Sequence, residues 1–185
     1  MGILFENVED LFVYLQGGEH LEFVGQVYGL PFETMEERID ALFRFFEMES
    51  HRNIIIDDYS KGMKKKLALA SILLHDPDFI ILDEPFEGLD TLTIVKIKKL
   101  LRKLNERGRT ILITSHILSY VEDLCEEVAI IHRGHIIYRN QTEKIRSEFS
   151  EEVAGNPALS EHALEDLFLK LVEEENGVEK TLAWI

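Results

Sequence analysis

Phe79-Ile80-Ile81-Leu82-Asp83-Glu84-Pro85 decides the fold class. Four apolar residues in an unbroken run suit a strand covered on both faces, as in a parallel sheet, and Pro85 marks its end. The run delivers two adjacent carboxylates, Asp83 and Glu84, to the C-terminal end of that strand, where open α/β sheets bind their ligands. Neighbouring carboxylates leaving a buried strand repel each other unless a cation or water shares the site, and the Mg2+ of a nucleotide is the natural cation. The same pair also fits a strand that ends in a solvated acidic turn. Taken alone, the residues leave both readings open.

Two further apolar runs, Thr110-Ile111-Leu112-Ile113-Thr114 and Val128-Ala129-Ile130-Ile131, read as companion buried parallel strands. Residues 92–105 carry Val95, Ile97, Leu100, Leu101 and Leu104 at helical spacing, with Lys and Arg in the last turns and Gly108 where a helix would stop. Residues 117–125 read as another helix. Strand–helix–strand–helix–strand predicts an α/β layered sheet with right-handed crossovers. A turn at Gly134 and a short strand over 135–138 make residues 128–138 a hairpin. Upstream, residues 19–28 and about 34–48 read as amphipathic helices separated by Gly29-Leu30-Pro31. No strand is expected before Phe79 apart from a weak Ile54-Ile55-Ile56, so residues of about 10–75 read as a helical insertion. A polar stretch over 147–157 precedes a last helix at about 160–175. The expected division is a domain over 1–146 and a C-terminal extension over 147–185.

The 185 residues carry 20 Lys and Arg against 35 Asp and Glu, a formal charge of -15, with 45% hydrophobic residues. A sizeable core is affordable in composition, and the acidic balance argues against a nucleic-acid partner, which draws affinity from clustered Lys and Arg. Cys125, the one cysteine, has no partner for an internal disulfide. Together with the lack of a signal-peptide pattern, this predicts a reducing, cytoplasmic setting. No apolar run approaches the roughly 18–20 residues that span a bilayer. A soluble, intracellular chain is expected.

A second signal lies at Tyr59-Ser60-Lys61-Gly62-Met63, which opens a helical pattern over 64–74. Ser60 is a good helix cap, a helix N-terminus with free amides attracts anions, and Gly62 permits close backbone approach. An ordinary capped helix explains the same residues. Lys61, Lys64, Lys65 and Lys66 form the one basic cluster of the chain, and either face phosphate or form a solvated face.

YSKGM followed by KKKLALASILLHDPDFIILDEP resembles the signature motif, its helix and the Walker B strand of ATP-binding-cassette ATPases. The family's usual signature is LSGGQ, so Ser60 and Gly62 match while Tyr59, Lys61 and Met63 depart. Glu87-Gly88-Leu89-Asp90 resembles the D-loop, Ser115-His116 the switch histidine, and Gly2-Ile3-Leu4-Phe5-Glu6 the Q-loop segment, with Glu6 where glutamine is usual. The resemblance covers nearly the whole chain and implies a P-loop NTPase-type parallel sheet with an inserted helical subdomain, N-terminally incomplete. It implies that Asp83 holds Mg2+ through water and that Glu84 orients and polarises the attacking water. His116 would hydrogen-bond the γ-phosphate; a capping or core histidine is the alternative. Ser60, Lys61, Gly62 and Asp90 would face ATP held by an opposite subunit, and Asp90 equally suits the N-cap of a helix beginning near Thr91. Glu6 would sit near the metal and the transporter partner.

None of the eleven glycines fits the family's GxxxxGK[ST] phosphate loop. In the family this loop precedes the Q-loop, so the chain is expected to start partway through the fold. The strand feeding that loop lies beside the one bearing the switch histidine, and its loss predicts exposed apolar edges and marginal stability. His132-x-x-His135 has metal-like spacing but spans the Gly134 turn, which favours a structural hairpin. Cys125 reads as core, and Leu164, Leu167, Phe168, Leu171 and Val172 as the packed face of the final helix.

The function implied is the ATP-binding subunit of a transporter, which couples ATP and Mg2+ to export through a separate integral-membrane permease. It would work as a dimer of ATPase subunits on the cytoplasmic membrane face, without nucleic acid. Two alternatives stand beside it. One is a non-catalytic partner or remnant that lends only its signature loop; the other is a soluble cassette ATPase of repair or translation.

Overall fold

The computed structural model describes residues 1–8, 11–152 and 163–176. They fall into two compact units, Met1–Thr114 and Ser115–Ile185.

The first unit is built on a three-stranded parallel sheet. Strand β1 (Gly2–Leu4) pairs with β2 (Phe79–Asp83), and β2 pairs with β3 (Thr110–Thr114), giving the order β1-β2-β3. The central strand is the apolar run of the acidic pair, with Ile80 and Leu82 fully buried. Two expectations are corrected here. A strand does precede Phe79: Gly2-Ile3-Leu4 pairs in register with Ile80-Ile81-Leu82. Its backbone lies so close to the helix over Lys61–Leu74 that a Cβ on Gly2 would approach the Ile72 carbonyl to 3.0 Å. The run Val128–Ile131, in turn, is no part of this sheet.

Four helices accompany the sheet: α1 (Gly17–Val27), α2 (Phe32–Phe45), α3 (Lys61–Leu74) and α4 (Thr91–Glu106). Helix α3 buries Leu67, Ala68, Leu69, Ala70, Ile72 and Leu74, and packs against α1, α2 and β1. A helix apolar nearly all round belongs inside a fold rather than on its surface. The α1–α2 contact is close because Gly25 lacks a side chain; a Cβ there would lie 2.5 Å from the Met35 sulfur. Ile54-Ile55-Ile56 is not a strand. Ile55 makes one isolated bridge to Gln16, and Ile56–Asp58 turns as a short 3-10 helix with Ile56 fully buried. Arg52 fastens the helices from the side, 3.0 Å from Glu36 and 3.8 Å from Glu22, with Asp40 a third partner.

Helix α4 turns Ile94, Ile97 and Leu101 inward at helical spacing. It ends at Gly108, whose φ of +83° is open to glycine without steric cost. Strand β3 differs from the expected buried strand. It is the outer strand, and Leu112 is 51% exposed, so only one side of the sheet is covered there.

The second unit holds α5 (Leu118–Leu124), an antiparallel hairpin of β4 (Glu127–His132) and β5 (His135–Gln141), α6 (Thr142–Glu152) and α7 (Ala163–Asn176). Arg133 and Gly134 both have positive φ, 47° and 82°, the requirement of a tight hairpin turn whose twist matches the strands. In β4, Val128 and Ile130 are buried whereas Glu127, Ala129 and Ile131 are exposed. That alternation is the mark of a one-faced hairpin, which explains why this run does not act as a parallel core strand. His132 and His135 face each other beside the turn, and the antiparallel pairing of β4 with β5 realises the hairpin expected over 128–138.

Helix α6 is unexpected, since residues 147–157 read as a polar stretch. Its Ile145 enters a small core with Val128, Ile130, Leu164 and Leu167, against which Cys125, Phe168 and Leu171 also pack. Buried Glu122 of α5 ties the helices together. Its carboxylate accepts from Arg146 Nε at 3.2 Å and from the Leu164 backbone N–H at 3.3 Å. The expected start of the last helix, at 160–162, lies outside the described residues.

Candidate functional site

The parallel register brings the site together. Leu4 lies beside Leu82, so Glu6 and Glu84, each two residues further on, leave adjacent strands at the same level. Asp83 closes β2 opposite Thr114, whose hydroxyl donates to the Asp83 carboxylate. Glu84 follows with a φ of +44°, a conformation uncommon for a residue with a side chain, and its N–H donates to the Thr114 carbonyl at 3.1 Å. The strain at Glu84 and the hydrogen bond that holds it fix the direction in which the chain leaves the strand. Strain of this kind concentrates at functional positions.

From Glu84 the chain folds over buried Phe86 to Gly88 and reaches Asp90, the N-cap of α4. Asp90 accepts from the Thr93 N–H at 2.9 Å and from its hydroxyl at 2.6 Å. These bonds, helped by Lys66 at 3.6 Å, hold its carboxyl down at about 2. The capping role weighed for Asp90 in the sequence is therefore present.

The first turn of α3 lies against this loop. Ser60 caps the helix, accepting from the Met63 N–H at 3.2 Å. A Cβ on Gly62 would meet the Gly88 carbonyl at 3.0 Å, so glycine here accommodates the neighbouring loop. Gly88, with a φ of +74°, rests on the Lys61 side chain, and Lys61 Nζ lies 2.7 Å from Glu87. The sequence assigned Gly62 to close approach by an anion; the structure adds the loop of residues 84–90 as its immediate neighbour.

The four lysines are neither one phosphate-facing set nor one solvated face. Lys61 pairs with Glu87 and Lys66 with Asp90, while Lys64 donates to the Asp57 carbonyl at 3.2 Å. Lys65 is buried, 3% exposed, and donates to the Glu6 carbonyl at 3.1 Å. Sequence reasoning missed this contact, because a lysine flanked by two others carries no sign of which one points inward. Glu6 itself is exposed.

Glu6, Ser60, Lys61, Gly62, Asp83, Glu84 and Asp90 thus all belong to the first unit. His116 belongs to the second, exposed at the bend between β3 and α5, which removes the core-histidine alternative.

The donor set fits Mg2+ rather than a dedicated protein cage. Mg2+ takes hard oxygen ligands and is commonly bound by one or two carboxylates, with phosphate and water completing the octahedron. One carboxylate oriented by a threonine hydroxyl at a strand end, with a second beside it in sequence, matches that pattern.

Comparison with known proteins places this geometry. A family model described as "AAA domain, putative AbiEii toxin, Type IV TA system" matches residues 9–122. The "ABC transporter ATP-binding protein NatA" of Bacillus subtilis is 37% identical over 154 residues, covering 83% of this chain and 63% of that protein. The chain belongs to the ATP-binding-cassette ATPases. A "Nod factor export ATP-binding protein I" of Ralstonia nicotianae is 32% identical over 179 residues, which covers 96% of the chain and 55% of that relative. The solved cassette described as "Dimeric structure of a post-hydrolysis state of the ATP-binding cassette MJ0796 bound to ADP and Pi" superposes with a TM-score of 0.69 at 25% identity. It is matched over 76% of this chain and 62% of its own. The P-loop NTPase-type α/β fold expected from the sequence is therefore the fold observed. The chain spans less than two thirds of the length of these cassette proteins.

Proposed function

We propose that this chain supplies the Walker B, signature and D-loop part of an ATP-binding subunit in a transporter, with the phosphate loop provided by residues outside this sequence. The observation that carries the reading is the junction of two elements. The strand end bearing Asp83 and left-handed Glu84 meets the capped N-terminus of α3 through Gly62 and Gly88. A carboxylate site for a metal and a helix N-terminus for an anion are thereby coupled through one short loop.

Asp83, oriented by Thr114, holds Mg2+ through water. Bound there, Mg2+ supplies charge neutralisation for the terminal phosphates. Glu84 positions the attacking water and accepts its proton. Ser60, Lys61 and Gly62 meet ATP held by a second ATPase subunit, and Asp90 stands at that subunit boundary. The description of the MJ0796 cassette as dimeric supports this arrangement. Glu6, at the Q-loop position, links the site to the permease. The name of the Ralstonia relative supports export as the direction of transport.

No helix among the described residues is long and apolar enough to cross a membrane. The names of the Bacillus and Ralstonia relatives, as ATP-binding proteins of transport systems, support a separate permease as the partner. The subunit then lies on the cytoplasmic membrane face. Affinity purification of the native protein from detergent-solubilised membranes is expected to recover a polytopic membrane protein in stoichiometric amount. Recovery of ribosomes or DNA in its place would transfer the protein to the soluble branch of the family.

A further inference from the structure

Lys65 is the one buried lysine among the described residues. Enclosing an ammonium is costly, and such groups persist where a partner and a local field compensate them. Both are present. Nζ donates to the Glu6 carbonyl, just past the end of β1, and the ammonium lies in the field of Glu87, Asp83 and Glu6. Burial is the largest influence and, with neighbouring Lys61, lowers its proton affinity; the three carboxylates offset only part of that, so the net direction is downward. Lys61 is exposed and paired with Glu87, and Lys66 is paired with Asp90, so neither enters this enclosed position. Lys65 thus ties the segment leaving β1 to the first turns of α3, within the electrostatic field of the acidic end of β2.

We propose that Lys65 is a positioning residue of the nucleotide site, which pins the segment carrying Glu6 through its carbonyl and offsets part of the negative charge offered to a divalent cation. The inference rests on the reading of Asp83 as the metal carboxylate. The family's usual glutamine at position 6 is replaced here by a glutamate, and Lys65 places a compensating positive charge beside that substitution. Pinning and charge are separable. Glutamine at position 65 retains a donor without the charge, whereas methionine retains neither.

The test uses the full chain with Mn2+ as the probe, free Mn2+ being read by electron paramagnetic resonance. Lys65→Gln and Lys65→Met are both expected to bind Mn2+ about tenfold more tightly than the wild type, since a unit positive charge that acts on Asp83 has been removed. Hydrogen exchange of the amides over residues 3–6 is expected to stay at the wild-type rate in Lys65→Gln and to quicken in Lys65→Met. Lys65→Gln binding no tighter than wild type overturns the charge role. Unchanged protection in a folded Lys65→Met overturns the pin, and if that variant does not fold, faster exchange in Lys65→Gln overturns it instead. Asp83→Asn added to Lys65→Gln is expected to abolish the gained Mn2+ binding. If the gain survives that change, the metal assignment of Asp83 fails while the charge role of Lys65 stands.

Discussion

Glu84→Gln in the transporter assembled in its native membrane is expected to reduce ATP turnover by about a hundredfold or more. A general base that accepts the proton of the attacking water contributes a factor of about 10^2 to 10^4, and glutamine can orient water without accepting its proton. The substitution keeps the shape of the side chain and leaves the backbone of residue 84 intact. Its N–H still donates to the Thr114 carbonyl, and the left-handed turn out of β2 is preserved. Unfolding midpoints of the two forms are therefore expected to coincide. Steady-state phosphate release checks the rate, and a thermal melt checks the fold. Turnover equal to the wild type would place the base elsewhere, in a partner subunit if this chain lends only its signature loop.

The second large effect concerns pH and arises far from the site. His20, on α1, is buried, and loss of solvation pushes its imidazole down to about 4 from an ordinary value of 6.5. Its Nε2 shares a 3.0 Å hydrogen bond with the Ser71 hydroxyl, whereas buried Nδ1 has no partner. The native state therefore keeps His20 neutral where the unfolded chain already binds a proton. Stability from this residue is fully present above pH 6.5 and diminishes as pH falls through 6.5. It is lost by about pH 4. The lost contribution is about 3 kcal/mol, from the shift between the two states. His20→Leu removes the titration, and Ser71 keeps its bond to the Leu67 carbonyl. Urea unfolding at pH 7 and pH 4.5 is expected to show a smaller fall in stability for the variant than for the wild type. Equal falls would mean that other groups carry the pH response.

Much of the first unit was legible because its signals are local. The run over residues 79–83, the spacing of α4 and the Ser60 cap each depend on neighbours in sequence, and the structure realises all three. Strand β1 escaped because three residues are too few to display a period, and its strand identity comes from pairing with β2. Val128–Ile131 was misassigned for a related reason. A short apolar run does not reveal whether one face or two will be covered, and here the turn at Arg133-Gly134 committed it to a hairpin. Helix α6 reads as polar because a single residue, Ile145, anchors its described part in the core.

The site divides along the same line. Asp83, Glu84, Ser60, Gly62 and Asp90 stand in motifs that can be read from consecutive residues. The contacts joining those motifs depend on long-range approach: Gly62 against Gly88, Lys61 with Glu87, Thr114 on Asp83 and Lys65 on Glu6. Nothing in YSKGMKKKL marks Lys65 as the inward lysine. Its burial follows from α3 packing against both β1 and the helical layer.

Sedimentation velocity of the Glu84→Gln form of the native subunit, with and without Mg-ATP, tests the central claim most directly. A site completed by the Ser60 loop of a second subunit requires ATP to join two subunits, and blocked hydrolysis should hold them together. The account predicts a shift from monomer to dimer on adding Mg-ATP, lost again in Glu84→Gln combined with a bulky residue at Ser60. A subunit that sediments identically with and without Mg-ATP would contradict it.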